Sequence, residues 1–225
     1  MKYSTLFLDL DNTILDFDKA EAQAIKTVLK MHNLPCNEEI VKKYSEINLS
    51  FWKRFEKGEI KREDIFENRF VKLLEYLGKD GDVSQIAKDY FLALSEGYFT
   101  VDGAEGILSY LKSKGYKLYI TTNGVSITQY KRIKNSGIEQ YVDGVFISED
   151  TGHQKPEKEY FDYILGKIPE KDKSKILIIG DSQSSDILGG INSGIDTCWY
   201  NPLKGNGKYK TEYEIADLIE IKNIL

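Results

Sequence analysis

Hydrophobic positions form short unbroken runs in one part of the chain and follow helical spacing in another. Five runs of apolar, β-branched or aromatic residues predict strands, at residues 3–10, 117–121, 144–148, 175–179 and 195–200. Four of these runs are short, continuous and bounded by Gly, Asp or Asn, which is typical of parallel strands buried on both faces.

Helical patterns lie between the later strands. Residues 104–113 place Ile107, Leu108 and Leu111 on one face, and this pattern ends near Gly115. Further helical stretches end close to a glycine, at residues 126–135, 158–165 and 186–192. The alternation of strand and helix predicts an α/β fold with a doubly wound parallel sheet of five strands.

Residues 16–97 break this alternation. Apolar and aromatic side chains recur there at helical spacing, and no strand pattern is evident. We therefore predict an α-helical insert at residues 16–97, between the first strand and the rest of the sheet. Residues 1–15 and 98–225 would form the core, and a chain of 225 residues is long enough for a core domain with such an insert.

Composition indicates an ordinary globular protein, with 41% hydrophobic and 30% charged residues. The net charge is -5, and Lys and Arg are spread along the chain rather than clustered. The sequence thus offers no electrostatic argument for nucleic-acid or anionic-membrane binding.

Two further features concern the cellular compartment. The cysteines, Cys36 and Cys198, lie far apart and without metal-like spacing, which is typical of reduced thiols. We find no signal-peptide pattern, and no apolar run approaches the ~20 residues that a membrane helix needs. We therefore expect a cytoplasmic protein with no membrane partner.

Two carboxylates interrupt the first apolar run. Asp9 and Asp11 are two residues apart, so on a strand their side chains point to the same face. Like charges this close repel each other and lose hydration on burial, unless a cation neutralises them. Oxygen ligands in a short rigid segment suit Mg²⁺. The pattern predicts a nucleophile, an acid/base group and a metal at one place.

Polar residues also follow the later strands. The second strand ends in Thr-Thr-Asn-Gly at residues 121–124, Lys155 follows the third, and Asp181 and Asp186 follow the fourth. Ligands of open α/β sheets bind beyond the carboxyl ends of the strands. Each group alone is typical of a loop or a surface, but their order along successive strand ends predicts one site.

These residues together resemble the haloacid dehalogenase superfamily of phosphotransferases. That family's pattern is D-x-D-x-T, then a hydrophobic run with Ser or Thr, then Lys, then GD-x4-D. The chain has a match at every position, namely Asp9, Asp11, Thr13, Thr122, Asn123, Lys155, Asp181 and Asp186. The resemblance covers the whole chain, and it implies that the insert is a helical cap of the C1 type.

The resemblance also implies catalytic roles. Asp9 would be the nucleophile that takes the phosphoryl group as an aspartyl phosphate. Asp11 would protonate the leaving oxygen and then take a proton from the attacking water. Thr122, the Asn123 backbone amide and Lys155 would bind the phosphoryl oxygens. Lys155 would also keep Asp9 ionised.

A Mg²⁺ cofactor follows from the same resemblance. Asp9, the backbone carbonyl of Asp11 and Asp181 would hold the metal. Asp186 would lie among or just behind these ligands, holding a water or orienting Lys155. The dehalogenases of this superfamily lack an acid two residues after the nucleophile, so Asp11 favours phosphoryl transfer over dehalogenation.

Substrate clues come from the insert. Residues 51–60, with Arg69 and Phe70 after them, resemble the cap of the nucleoside-monophosphatase branch, which contains bacterial pyrimidine 5′-nucleotidases. This implies a small phosphate-ester substrate, a nucleoside 5′-monophosphate, and a monomer or weak homodimer. Trp52 and Phe55 would either stack on the base or form the core of the cap.

Alternative functions stay open at this point. A phosphatase or phosphomutase for a small sugar phosphate would share the same core motifs. A protein that binds a phosphorylated ligand without catalysis would share the fold, although it need not keep the acid/base residues.

Overall fold

The chain divides into a sheet unit and a helical unit. The computed structural model describes residues 2–225. The sheet unit contains the N-terminal residues up to Asp16 together with Phe99–Leu225, and the helical unit is Phe17–Tyr98. None of the helices in the described residues is both long and apolar enough to cross a membrane.

All strands of the sheet unit join one parallel sheet. Within residues 2–225 the sheet has six strands in the order β3-β2-β1-β4-β5-β6. Their bounds are β1 Thr5–Leu8, β2 Lys117–Thr122, β3 Gly144–Ile147, β4 Ile176–Gly180, β5 Asp196–Tyr200 and β6 Tyr213–Ile215. In the register, Leu8 pairs with both Ile120 and Ile179. The carboxyl end of β1 is therefore flanked by those of β2 and β4.

The predicted doubly wound parallel sheet is confirmed, but its predicted strand count of five is wrong by one. The missed strand, β6, has only three residues and lies at the sheet edge. Ile215 is buried there while Glu214 is exposed. An edge strand this short has neither the unbroken apolar run nor the long alternation that marks a strand in sequence.

The helical unit holds the helices α1 Phe17–Met31, α2 Glu38–Glu56, α3 Arg62–Leu77 and α4 Val83–Ser95. Its residues are all described, and they contain no strand. The α2 helix begins where Asn37 accepts a hydrogen bond from the Ile40 N–H, at 2.9 Å. The α3 helix ends at Gly78, whose φ of 59° is a conformation that glycine adopts without strain.

A series of contacts between polar side chains crosses the interior of the helical unit. Asn48 donates a hydrogen bond to Glu21 at 2.6 Å, and Arg69 donates one to Asn48 at 2.8 Å. The guanidinium of Arg69 lies 4.6 Å from the ring centre of Tyr90. These contacts compensate part of the hydration that the buried charged groups lose.

The sheet unit holds α5 Ala104–Ser113, α6 Ser126–Ser136, α7 Ser148–Thr151, α8 Lys158–Lys167 and α9 Leu188–Ser193. A π-helical turn, Gln183–Ile187, leads into α9. Side chains of β1 alternate between two buried layers, since Leu6 and Leu8 pack with α5 while Phe7 packs with α8. Apolar contacts on both faces explain why the strands read as continuous hydrophobic runs.

Candidate active site

Asp9 follows β1 at the centre of the sheet. Its backbone N–H donates to the carbonyl oxygen of Ile179 at 2.9 Å, which extends the β1–β4 pairing by one residue. The residue is only 6% exposed. Its carboxyl group therefore lies buried at the carboxyl edge of the sheet, where open α/β sheets bind their ligands.

The side chain of Lys155 forms a buried ion pair with Asp9. The lysine is 1% exposed, and its Nζ lies 2.5 Å from Asp9 Oδ1, 2.6 Å from Asp186 Oδ1 and 2.9 Å from the carbonyl oxygen of Thr121. An ammonium group has three N–H donors, so each of them has an oxygen partner. The lysine is therefore fixed in place as well as paired in charge.

The loop after β2 holds the backbone of Lys155. The Asn123 side-chain amide donates to the Lys155 carbonyl at 2.8 Å, and the Lys155 N–H donates to Asn123 Oδ1 at 2.9 Å. This two-way contact connects residues that follow β2 and β3. The side chain of Asn123 therefore positions the lysine, a contact that the sequence did not predict.

Three carboxylates converge beside Lys155. Asp9, Asp181 and Asp186 each place an oxygen within 4.8 Å of the others. Asp186 is fully buried, and its Oδ2 accepts a hydrogen bond from the Ser182 N–H at 3.1 Å. A Cβ atom on Gly180 would lie 2.3 Å from Asp186 Oδ2, so a glycine at the end of β4 permits this close approach.

The site holds more acidic groups than its one lysine can balance. Burial raises the pKa of Asp9 to about 8, although the Lys155 ammonium opposes the shift. Burial, with Asp9 and Asp186 nearby, also raises the pKa of Asp181 well above its ordinary value. Burial alone would lower the pKa of Lys155, but Asp186 and Asp9 outweigh it and raise that pKa. One ammonium thus faces three carboxylates.

This donor set fits a hard divalent cation. All three side chains offer carboxylate oxygens, which Mg²⁺ prefers, and a divalent charge would balance the excess that a single lysine leaves. The predicted metal residues Asp9 and Asp181 and the predicted neighbour Asp186 are thus brought together. Asp11 lies two residues beyond Asp9 on the same segment.

Thr122 ends β2 next to this cluster. The residue is 1% exposed, and its Oγ1 accepts hydrogen bonds from the Gly124 N–H at 3.2 Å and from Gln129 Nε2 at 2.9 Å. Because β1 and β2 are neighbours, the predicted phosphate-binding residues Thr122 and Asn123 lie at the same sheet edge as Asp9.

Asp11 has two partners that the sequence analysis missed. Gln129 Nε2 donates to Asp11 Oδ2 at 2.7 Å, and Arg132 NH1 donates to Asp11 Oδ1. Both partners are on α6 and three residues apart, so they share one helix face. The sequence offered only two long polar side chains three residues apart in a predicted helix, and this spacing does not identify Asp11 as their partner.

Trp52 and Phe55 lie on α2 in the helical unit. Their rings meet edge to face, with centres 5.7 Å apart. Phe55 is 3% exposed and packs with Phe51 and Ile65, whereas Trp52 is partly buried. This describes their packing within the helical unit, and a contact of either ring with a substrate stays a prediction.

The chain matches a known protein family and is similar in sequence to known proteins along its whole length. A family model described as haloacid dehalogenase-like hydrolase matches residues 3–194. YfnB of Bacillus subtilis, named as a HAD-hydrolase, is 42% identical over the whole chain and 96% of its own length. The pyrimidine 5′-nucleotidase PynA of Streptococcus pneumoniae is 37% identical over the whole chain and 98% of its length.

One further relative and one solved structure match the chain over most or all of its length. The pyrimidine 5′-nucleotidase YjjG of Escherichia coli is 31% identical over 89% of this chain and 87% of its own length. The crystal structure of YfnB bound to magnesium matches with a TM-score of 0.94, covering 100% of this chain and 99% of YfnB. Since the family model and these relatives span most or all of the chain, it belongs to the haloacid dehalogenase-like hydrolase family and is an enzyme of the phosphatase type.

Proposed function

We propose that this protein is a Mg²⁺-dependent phosphomonoesterase that hydrolyses nucleoside 5′-monophosphates, with pyrimidine nucleotides preferred. The observation that carries the proposal is the buried contact of Lys155 with Asp9 and Asp186, beside Asp181. The substrate class is supported by the similarity to PynA and YjjG, which are named as pyrimidine 5′-nucleotidases.

In this proposal Asp9 and Asp11 carry the chemistry. The Asp9 carboxylate attacks phosphorus, so an oxygen–phosphorus bond forms on Asp9 while the bond to the nucleoside oxygen breaks. Asp11 gives its proton to that leaving oxygen. A water then attacks the phosphorus of the aspartyl phosphate and gives a proton to Asp11. The bond between phosphorus and Asp9 breaks, so phosphate is released and the Asp9 carboxylate is restored.

Thr122, the Asn123 backbone amide and Lys155 would bind the phosphoryl oxygens. Negative charge spreads over these oxygens in a loose transition state, so fixed donors and a cation beside them lower the barrier. The Lys155 ammonium is held by contacts to Asp9, Asp186 and the carbonyl oxygen of Thr121. Because these contacts use all three of its N–H donors, the ammonium would act on the phosphoryl oxygens through its positive charge, and a cation fixed in this way needs little reorganisation when the transition state forms.

Mg²⁺ would be held by Asp9, the backbone carbonyl of Asp11 and Asp181, with Asp186 next to them. When bound, the metal supplies positive charge that polarises a phosphoryl oxygen. Support for this cofactor comes from the all-oxygen donor set and from the magnesium-bound structure of YfnB.

The test measures phosphate release by the purified protein from UMP, dTMP, AMP, a hexose phosphate and 4-nitrophenyl phosphate. Each ester is assayed with Mg²⁺ and with EDTA. We expect release that requires Mg²⁺ and is fastest with UMP and dTMP. Asp9→Asn should abolish release, while Asp80→Asn at an exposed position of the helical unit should retain it.

Other outcomes would overturn different parts of the proposal. Release that persists in Asp9→Asn would exclude an aspartyl phosphate on Asp9. Preference for the hexose phosphate would replace the nucleotide class and keep the chemistry of the site. Isomerisation of the hexose phosphate, dependent on a bisphosphate primer, would indicate a mutase. Binding of phosphate esters without release would indicate a non-catalytic protein.

A further inference from the structure

We propose that Gln129 and Arg132 are positioning residues that fix the carboxyl group of Asp11 at the active site. The inference rests on the proposed function, in which Asp11 moves the proton. Neither residue belongs to the motifs at the strand ends, since both reach the site from α6.

Asp11 is held at both carboxyl oxygens. Arg132 NH1 donates to Oδ1, and Gln129 Nε2 donates to Oδ2 at 2.7 Å. A single hydrogen bond would let a carboxyl group turn, whereas donors at both oxygens fix its plane. Because both donors come from one helix, the orientation of Asp11 is set by the position of α6.

The two donors are themselves fixed. Arg132 NH1 also donates to Gln129 Oε1 at 2.9 Å, and Gln129 Nε2 also donates to Thr122 Oγ1 at 2.9 Å. Arg132 is fully buried and Gln129 is 2% exposed, and the close packing of a protein interior disfavours a change of rotamer at such positions. The amide of Gln129 therefore links the acid/base group to the predicted phosphate-binding hydroxyl of Thr122.

The side chains of Arg132 and Asp11 differ in solvent exposure, and this difference suits a role of Asp11 in catalysis. The side chain of Arg132 is 0% exposed, whereas that of Asp11 is 27% exposed. The guanidinium thus holds the carboxyl group from the protein interior and leaves part of it accessible. Burying a guanidinium costs hydration, and the hydrogen bonds that Arg132 donates to Asp11 and Gln129 offset part of this loss.

The loop after β2 is shaped around Gln129. A Cβ atom on Gly124 would lie 2.3 Å from Gln129 Nε2, 2.5 Å from Cδ and 2.7 Å from Cγ. Atoms of a real side chain never come this close, so residue 124 must lack a Cβ for Gln129 to reach Asp11 and Thr122 together.

Correct placement of Asp11 matters most when the leaving oxygen needs a proton. The 5′-oxygen of a nucleoside is a poor leaving group without one, whereas 2,4-dinitrophenolate leaves unprotonated. Misplacing Asp11 should therefore slow phosphoryl transfer from UMP and leave transfer from 2,4-dinitrophenyl phosphate nearly unchanged.

The experiment compares Arg132→Met and Gln129→Leu with the wild type on these two esters. It uses kcat/KM, which reports the steps up to departure of the leaving group. With UMP we expect a loss of about tenfold to a hundredfold, and with the dinitrophenyl ester a loss below about threefold. Arg132→Lys should regain part of the loss. Lys134→Met, an exposed change on the same helix, should keep the wild-type kcat/KM with both esters.

A double-variant cycle separates positioning from general damage. In an Asp11→Ala background, Arg132→Met should lower kcat/KM for UMP by less than about twofold, because its effect acts through Asp11. Equal losses with both esters, or a loss that persists without Asp11, would overturn the proposal and assign the pair a structural role.

A readout without catalysis keeps this inference distinct from the proposed function. The side-chain amide protons of Gln129, followed by NMR, should be protected from exchange and should change on Asp11→Ala but not on Lys134→Met. If no ester is hydrolysed, the proposed function fails, and this signal still decides whether Gln129 holds Asp11. An unchanged signal in Asp11→Ala would contradict the inference.

Discussion

Lys155 is a full positive charge in a place that water does not reach. Its side chain is 1% exposed, and the carboxylates of Asp9 and Asp186 on either side are 8% and 0% exposed. A buried ammonium is stable only where such oxygens replace its hydration. Lys155 and the two acids therefore stabilise each other, and replacing the lysine or the acids alone should lower the free energy of unfolding.

Lys155→Met should therefore destabilise the fold. The change leaves Asp9 and Asp186 buried without the ammonium between them, and breaking a buried pair costs about 3–5 kcal/mol of the free energy of unfolding. Urea unfolding followed by circular dichroism measures this. Lys158→Met removes an exposed partner of Asp162 and should change the free energy little. A Lys155→Met protein as stable as the wild type would contradict the pairing.

Residues at strand ends could be predicted from sequence, whereas those that reach in from elsewhere could not. Asp9, Lys155 and Asp181 belong to local patterns that follow apolar runs, and parallel strands end at one edge. Gln129 and Arg132 contact Asp11 only because of how α6 packs on the sheet. Such a contact depends on tertiary structure, which no local spacing encodes.

At the scale of elements, the carboxyl end of β4 shows how a strand end makes room for an acidic side chain of the cluster. The strand ends at Gly180, and the chain then turns through Ser182 into the π-helical turn Gln183–Ile187. This turn brings Asp186 back over the strand end, where it meets Lys155. A side chain at position 180 would occupy the space that the Asp186 carboxyl group needs.

Gly180→Ala should therefore destabilise the protein, while Gly106→Ala should stabilise it. The added methyl group at position 180 would lie 2.3 Å from Asp186, but at position 106 in α5 it meets nothing within 4 Å. We expect a loss of about 1–3 kcal/mol for the first change and a gain of about 0.5–1 kcal/mol for the second. Thermal unfolding of both variants checks this, and equal shifts would refute the steric explanation.

The elements differ in how far the sequence defined them. Strands buried on both faces gave continuous apolar runs, so β1, β2 and β4 could be recognised. The edge strand β6 forms because Cys198, Trp199 and Tyr200 of β5 offer it a pairing partner. Its three residues carry too little pattern of their own, which is why the strand was missed.

At the scale of the whole molecule, every charged group of the cluster belongs to the sheet unit. Asp9 comes before the helical unit in the chain, while Lys155, Asp181 and Asp186 come after it. The parallel sheet brings these distant segments together. The cluster exists only when the sheet unit is folded, so a cation that binds it must also stabilise that fold.

Mg²⁺ should therefore raise the melting temperature of the protein. A ligand at one hundred times its dissociation constant adds about 2.7 kcal/mol to the free energy of unfolding. Differential scanning fluorimetry in increasing MgCl₂, against NaCl of equal ionic strength, measures the shift. Glu67→Gln, an exposed change in the helical unit, should keep the full response.

Asp181→Asn should abolish that response without destabilising the metal-free protein. Burial, with Asp9 and Asp186 nearby, raises the pKa of Asp181 and so disfavours its charged form, and the amide replaces it with a neutral group of the same shape. The variant in EDTA should therefore be at least as stable as the wild type. Loss of the Mg²⁺ effect in a protein of unchanged or higher stability identifies Asp181 as part of the metal site, since misfolding would lower both. An undiminished Mg²⁺ shift in Asp181→Asn would move the metal away from this cluster.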